Sequence, residues 1–418
     1  MGKNMLYTKC IKAIILTGLL SVSVLLSACG TPATNSSSEP IAIQSKTIQS
    51  KTIAASDGHS MFIDNDNNLF AWGGNWSGRL GDGTTTDRYY LVHIMDDVAS
   101  ISSRGNHSMA LRTDGSLWAW GNNDVGQLGD NTTRSKHTPV RIMDNVIAIS
   151  AGGWHSLAIR DDGSLWGWGL NNFGQVGNGT TRNQRRPVRI MDDVAFVSTS
   201  NHATMAIKTD GSLWTWGMSD FATFDEEPVI GQPSPVHIMD DVVYASKGII
   251  HATAIKKDGS LWIWGLNWNG QLGNGTFEDQ LYPTHVMDDV VQVISTSMMT
   301  MAVKADGSLW GWGDNNNGRL GDGTTAEHRL NPTYIMDDVI AVASDGWYTL
   351  ALQSDGSLWT WGRIAYPILE DYEREEILNT IGSLSLISAI LLEPMKIADN
   401  VMLPHVPSNL NRYEGRRE

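Results

Sequence analysis

Apolar and polar positions alternate in short runs along most of this chain, and one run dominates the pattern. Leu117-Trp118-Ala119-Trp120-Gly121 recurs, with Phe70 for the first Trp in one copy, beginning at Leu69, Leu117, Leu165, Leu213, Leu261, Leu309 and Leu358. The interval is 48 residues five times and 49 once. Such alternation predicts a strand whose successive side chains point to opposite faces. Both tryptophans then share one face, and the leucine and a mostly small middle residue share the other. Apolar side chains on both faces require cover on both sides. Upstream, His107 to Arg112 is a second alternating run, separated from the first by Asp114-Gly115. Asp-Gly between two such runs is a strong hairpin signal and predicts a type I′ turn, with positive φ at both residues. Val146 to Ser150 and Pro139 to Met143 exemplify two further strands, so each unit predicts four short strands.

A period this strict makes each copy one supersecondary unit of an array. Four-stranded blades packed face to face around an axis give every Leu-Trp-x-Trp-Gly strand the cover it needs. The expected fold class is therefore all-β, a seven-bladed β-propeller of four-stranded antiparallel blades over residues 53–402. Of the 17 tryptophans in the chain, 13 lie in this motif, and each hides roughly 150–250 Å² when buried. Their expected role is core packing. Two units depart from the pattern. Unit four has Met218 to Pro228 in place of a Gly/Asn-rich loop, and its His202 is one residue out of register. Unit seven lacks the loop and carries an insert, 363–393, with apolar residues at the helix-like spacing Ile377, Leu378, Ile381 and Leu384.

The array is preceded by a different kind of sequence. Lys3, Lys9 and Lys12 precede an apolar run from Ala13 to Leu26, which is short for a bilayer span and suits a signal peptide over residues 1–28. Leu26-Ser27-Ala28-Cys29 resembles a bacterial lipoprotein box, which implies lipid on Cys29, anchorage to the plasma or outer membrane, and an extracytoplasmic location. Residues 29–52, rich in Ser, Thr and Pro, read as a flexible tether. Residues 403–418 read as a loose tail. The chain has only two cysteines, Cys10 and Cys29, so no thiol is left for a disulfide, a metal or a nucleophile.

Candidate chemistry is sparse. Asp96-Asp97, Asp192-Asp193, Asp240-Asp241, Asp288-Asp289 and Asp337-Asp338 look like acid/base pairs. One pair per unit is more than catalysis needs, whereas a turn is needed in every unit, and aspartate suits turns. His59, His107, His155 and His251 share one repeat position. On the axis they could hold a metal, but equivalent positions on separate blades rarely converge to ligand distance, so packing and backbone bonding are expected instead. No metal or cofactor is expected. Charge narrows the partners further: the chain carries 30 basic and 45 acidic residues, a net charge of −15. This field repels nucleic acid. Four tryptophans lie outside the strand motif: Trp76 and Trp268 at one loop position, Trp154 and Trp347 at another. Loops on a rigid scaffold gather binding residues, and tryptophan is enriched in binding hot spots. They are the candidate binding residues.

The run from Ala151 through His155, the Asp-Gly-Ser-Leu-Trp-x-Trp-Gly stretch and Asn123-x-x-Gly126-Gln-Leu-Gly129 together resemble the regulator of chromosome condensation repeat. That family folds as a seven-bladed propeller, and its propeller faces engage proteins. Its nuclear exchange-factor activity does not suit an exported lipoprotein. A secreted β-lactamase-inhibitory protein of similar repeats is a closer precedent. The resemblance thus implies a non-enzymatic scaffold for an extracytoplasmic protein partner, inhibitor-like in one version. A glycan-binding module of the cell envelope, stacking sugars on exposed tryptophan, is the alternative.

Overall fold

The computed structural model describes residues 53–56, 58–63, 66–218, 231–353, 358–362 and 394–396. The expected signal peptide, Cys29, the tether, most of the unit-four loop, the insert and the tail lie outside the described residues. Within them, 28 strands form seven four-stranded antiparallel sheets. Blade one comprises β1 (Ile53–Ser56), β2 (His59–Ile63), β3 (Leu69–Gly73) and β4 (Arg88–Met95); blade two comprises β5 (Val98–Arg104), β6 (His107–Arg112), β7 (Leu117–Gly121) and β8 (Lys136–Met143). Blades three and four follow as β9 (Val146–Ala151), β10 (His155–Arg160), β11 (Leu165–Gly169) and β12 (Gln184–Met191), then β13 (Val194–Thr199), β14 (Ala203–Lys208), β15 (Leu213–Gly217) and β16 (Gln232–Met239). Blade five is β17 (Val242–Lys247), β18 (His251–Lys256), β19 (Leu261–Gly265) and β20 (Gln280–Met287). Blade six is β21 (Val290–Ser295), β22 (Met299–Lys304), β23 (Leu309–Asp314) and β24 (His328–Met336). Blade seven is β25 (Val339–Ser344), β26 (Tyr348–Gln353), β27 (Leu358–Gly362) and β28 (Met395–Lys396).

Blade and sequence unit coincide, so β1 belongs to blade one and does not complete the last sheet. The first strands of successive blades touch around the ring, and β25 touches β1. At that closing seam Ser60 Oγ lies 3.1 Å from the Tyr348 hydroxyl. The inner strands would otherwise leave edge amides unpaired, a costly state for a buried N–H. Hydroxyls of the preceding blade take up several of them: Ala151 N donates to Ser102 Oγ (2.9 Å) and Ser295 N to Ser246 Oγ (2.9 Å). On the outside, Pro139, Pro187, Pro235, Pro283 and Pro332 sit in the fourth strands, where a missing N–H discourages edge-to-edge pairing.

The two faces of the Leu-Trp-x-Trp-Gly strand are both covered. Trp118 and Trp120 pack with Leu69, Ala71 and Leu80 of blade one, while Leu117 and Ala119 pack with Val146, Ile149 and Trp168 of blade three. The second tryptophan is buried in five blades: Trp120, Trp168, Trp216, Trp312 and Trp361. Trp72 and Trp264 are only half-buried; the preceding blades, seven and four, are those whose long loops fall outside the described residues.

The Asp-Gly hairpin differs from the expected type I′ turn. Gly115 N donates to Arg112 O (3.0 Å), Arg112 N donates to Ser116 O (2.9 Å), and Gly115 has positive φ (80°) while Asp114 does not. The loop is thus three residues long, a type I turn followed by one left-handed residue. The extra residue spares the aspartate the left-handed region, and its carboxylate instead accepts from Ser116 N (2.9 Å) and Ser116 Oγ (2.6 Å). In blade one Asn67, with φ of 62°, takes the glycine's place. The paired aspartates are two-residue links between blades. Asp97, Asn145, Asp193, Asp241, Asp289 and Asp338 all have positive φ, and the pairs are exposed.

Candidate functional site

Antiparallel order puts the turn between first and second strands and the long loop between third and fourth strands at the same end of the ring. The link and Asp-Gly turns lie at the other end. Each long loop among the described residues, in blades one, two, three, five and six, is wound around one buried asparagine. In blade two, Asn123 Nδ2 donates to Asp130 Oδ1 (3.0 Å) and to Arg134 O (3.2 Å), and Asn123 Oδ1 accepts from Leu128 N (3.0 Å). Asn75, Asn171, Asn267 and Asn315 repeat this arrangement. The loops are therefore pinned, and a side chain beside the asparagine is presented in a fixed place.

Trp76 follows Asn75 and Trp268 follows Asn267; they are 58% and 63% exposed. Trp347, in the turn before β26, is 48% exposed, and the Arg319 guanidinium lies 5.1 Å from its ring centroid. Arg319 is itself tied to Asp314 (3.0 Å). Burial draws its pKa below the ordinary value, against the pull of Asp314 and Asp345. Trp154 is half-buried. All four candidates thus share the loop end, but they belong to blades one, three, five and seven. Only blades seven and one are neighbours, so the structure offers a face and not one pocket. Exposed Met298 and Phe277 occupy the same end. Neither was marked by the repeat pattern; position alone brings them in.

The histidine column departs from the expectation of backbone bonding. Its rings lie in the seams between blades, not on the axis. His107 Nε2 is 2.8 Å from Ser156 Oγ, and that hydroxyl donates to Gln127 O (2.8 Å). The hydroxyl proton is committed to the carbonyl, so His107 Nε2 must carry the proton it shares. Trp168 Nε1 donates to the same carbonyl at 2.9 Å. His59 with Ser108, His155 with Thr204 and His251 with Thr300 build the same joint. Burial pushes the four histidines down, to about 3 for His59, His155 and His251 and about 4 for His107. They are neutral seam bonds at ordinary pH. Among the described residues no three His, Cys, Asp or Glu side chains stand together as metal ligands.

A family model for the RCC1-like domain matches residues 26–295, and one for the RCC1 repeat matches residues 306–352. The chain belongs to the RCC1-like family. No curated protein sequence matches it. Among solved structures, the RCC1-like fold recurs in yeast RCC1 (Prp20) bound to Kap60, with a TM-score of 0.64, 17% identity, and coverage of 86% of this chain and 99% of that one. Prp20p from Saccharomyces cerevisiae, described with its binding to Gsp1p and histones, gives a TM-score of 0.64 at 19% identity, covering 79% and 86%. Human WBSCR16 gives 0.62 at 22% identity, covering 70% and 83%.

Proposed function

We propose that this RCC1-like chain is a non-enzymatic binding scaffold, lipid-anchored through Cys29 outside the cytoplasm, whose loop end engages a protein partner. The observation that carries the reading is the exposure of Trp76 and Trp268 on asparagine-pinned loops. Exposing large apolar rings without a partner is unfavourable, and a preset loop lowers the ordering cost of binding. Yeast RCC1 in complex with Kap60 supports a protein as the class of partner. An inhibitor is the version in which the partner is an enzyme.

The test places a photo-reactive cross-linker at position 76, at 268, and at Lys257 on the opposite end. Protein adducts from 76 and 268 but not from 257 support the reading. Adducts from 257 alone would move the site to the other end. The exposed indoles also suit sugar stacking, and glycan adducts at 76 and 268 would favour the envelope-glycan alternative. Anchorage rests on the apolar run followed by Leu26-Ser27-Ala28-Cys29. Lipid chains add about 0.8 kcal/mol per buried CH₂, so Cys29→Ser should shift the protein from the membrane fraction to the soluble one. Unchanged fractionation and mature mass would rule the anchor out.

A further inference from the structure

We propose that the loop-end corner shared by blades two and three is a docking surface for a short Asp/Glu-rich segment of a protein partner. The proposal rests on the reading of the chain as a protein-binding scaffold and names the chemistry of what it binds.

Arg134, Arg182, Arg185 and Arg186 are exposed, and no carboxylate of the described residues is ion-paired with any of them. They meet across one seam. Asn131 N, in the loop that carries Arg134, donates to Arg185 O at 2.8 Å. Gly126 of that loop comes so close that a Cβ there would stand 2.8 Å from Arg185 Cα. Arg182 leads into the strand that holds Arg185 and Arg186.

The fold does not ask for these arginines. The positions of Arg134, Arg185 and Arg186 hold Thr86, Tyr89 and Tyr90 in blade one, and Glu278, Leu281 and Tyr282 in blade five. At the start of the fourth strand a cation is neutralised from within its own loop in blades one, two and six: Arg88 pairs with Asp82 (2.6 Å), Lys136 with Asp130 (3.4 Å) and Arg329 with Asp322 (2.5 Å). In blade three that strand opens on neutral Gln184, and the equivalent of those aspartates is Asn178, which makes the same bond to its asparagine (3.1 Å); the stretch 170–183 therefore holds no carboxylate to offset Arg182, Arg185 or Arg186. A chain of net charge −15 therefore concentrates unpaired positive charge on one corner.

The shape of the patch decides the partner. Guanidinium groups bind carboxylates through paired, parallel hydrogen bonds. The patch is two blades wide; at the same end exposed Asp87 stands on blade one beside it, and exposed Glu278, Asp279 and Glu327 stand beyond blade four, on blades five and six. A flat anionic membrane or a long nucleic-acid strand would press against those acids, whereas a short acidic segment would not. Field screening over about 8–10 Å at physiological salt keeps the attraction local.

The test is fluorescence anisotropy of labelled deca-glutamate with the full chain at low and at physiological salt. Binding should weaken as salt rises, and Arg185→Glu/Arg186→Glu should weaken it at least tenfold with an unchanged melting curve. Arg182→Glu alone should weaken it by a smaller factor. Lys257→Glu, a change of the same sign on the opposite end, should leave it unaltered. Equal weakening by Lys257→Glu, or none by the double variant, would show only a diffuse charge effect and overturn the proposal. So would tighter binding to phosphatidylglycerol vesicles or to single-stranded DNA, or self-association abolished by the double variant. Trp76→Ala/Trp268→Ala should still bind deca-glutamate, which separates failure of this proposal from failure of the scaffold reading.

Discussion

A single carbonyl does double service at each well-formed seam. Gln127 O accepts both the Trp168 indole and the Ser156 hydroxyl, and His107 leans on that hydroxyl in turn. Ser156→Ala would remove one bond to the carbonyl and leave His107 Nε2 buried without its partner. Stranding a buried donor costs about 1–3 kcal/mol, which urea unfolding should read as a fall of that size. The same joint makes stability depend on pH. Four histidines have folded pKa values of about 3 to 4 against an ordinary 6.5. As pH falls below 6.5 the unfolded chain takes up protons that the folded one refuses. The stability contribution is whole above 6.5 and is lost as pH falls toward the folded values. Four such groups give a slope of up to about 5 kcal/mol per pH unit near pH 5. Thermal melting between pH 7 and 4.5 should show a steep decline, and His107→Asn should flatten it. The carboxylates held low by hydrogen bonds, such as Asp114 through Ser116, act in a lower pH range.

Strands and turns were legible to different degrees. The Leu-Trp-x-Trp-Gly run announced its strand, its two covered faces and its count, because every blade must solve the same packing problem with the same residues. The aspartate pairs were legible as turns for a similar reason. The Asp-Gly hairpin was half-legible: the residue types mark a turn, yet loop length decides which turn, and the carboxylate-to-Ser116 bonds that set the length leave no separate trace. The seam joints were hidden, since their members lie in different blades and alternation speaks only of neighbours. At the site, Trp76 and Trp268 stood out as departures from a repeating core, while their placement on one end needed the strand order. The hairpin yields a test. Gly115→Asn should cost under about 1 kcal/mol, because asparagine tolerates the left-handed region and Asn67 already occupies it in blade one. Gly115→Val, branched where φ is positive, should cost more than about 1–2 kcal/mol. Denaturant midpoints would separate the two.

The whole ring has two unlike ends. One carries pinned loops with exposed tryptophan and the arginine corner; the other carries the aspartate links, several in ion pairs such as Arg112 with Asp97 and Lys257 with Asp241. Between the ends, no sheet among the described residues borrows a strand from another unit. The natural start of the array is therefore only one of several equivalent places to begin it. A circular permutant with its old ends joined and new ends at the Asp144–Asn145 link would cut no sheet, whereas new ends at Asp114–Gly115 would split one between β6 and β7. The first should keep a single cooperative melt near that of the parent, and the second should melt lower. In this architecture the order of the blades around the ring carries the information, and the point at which synthesis enters it carries little.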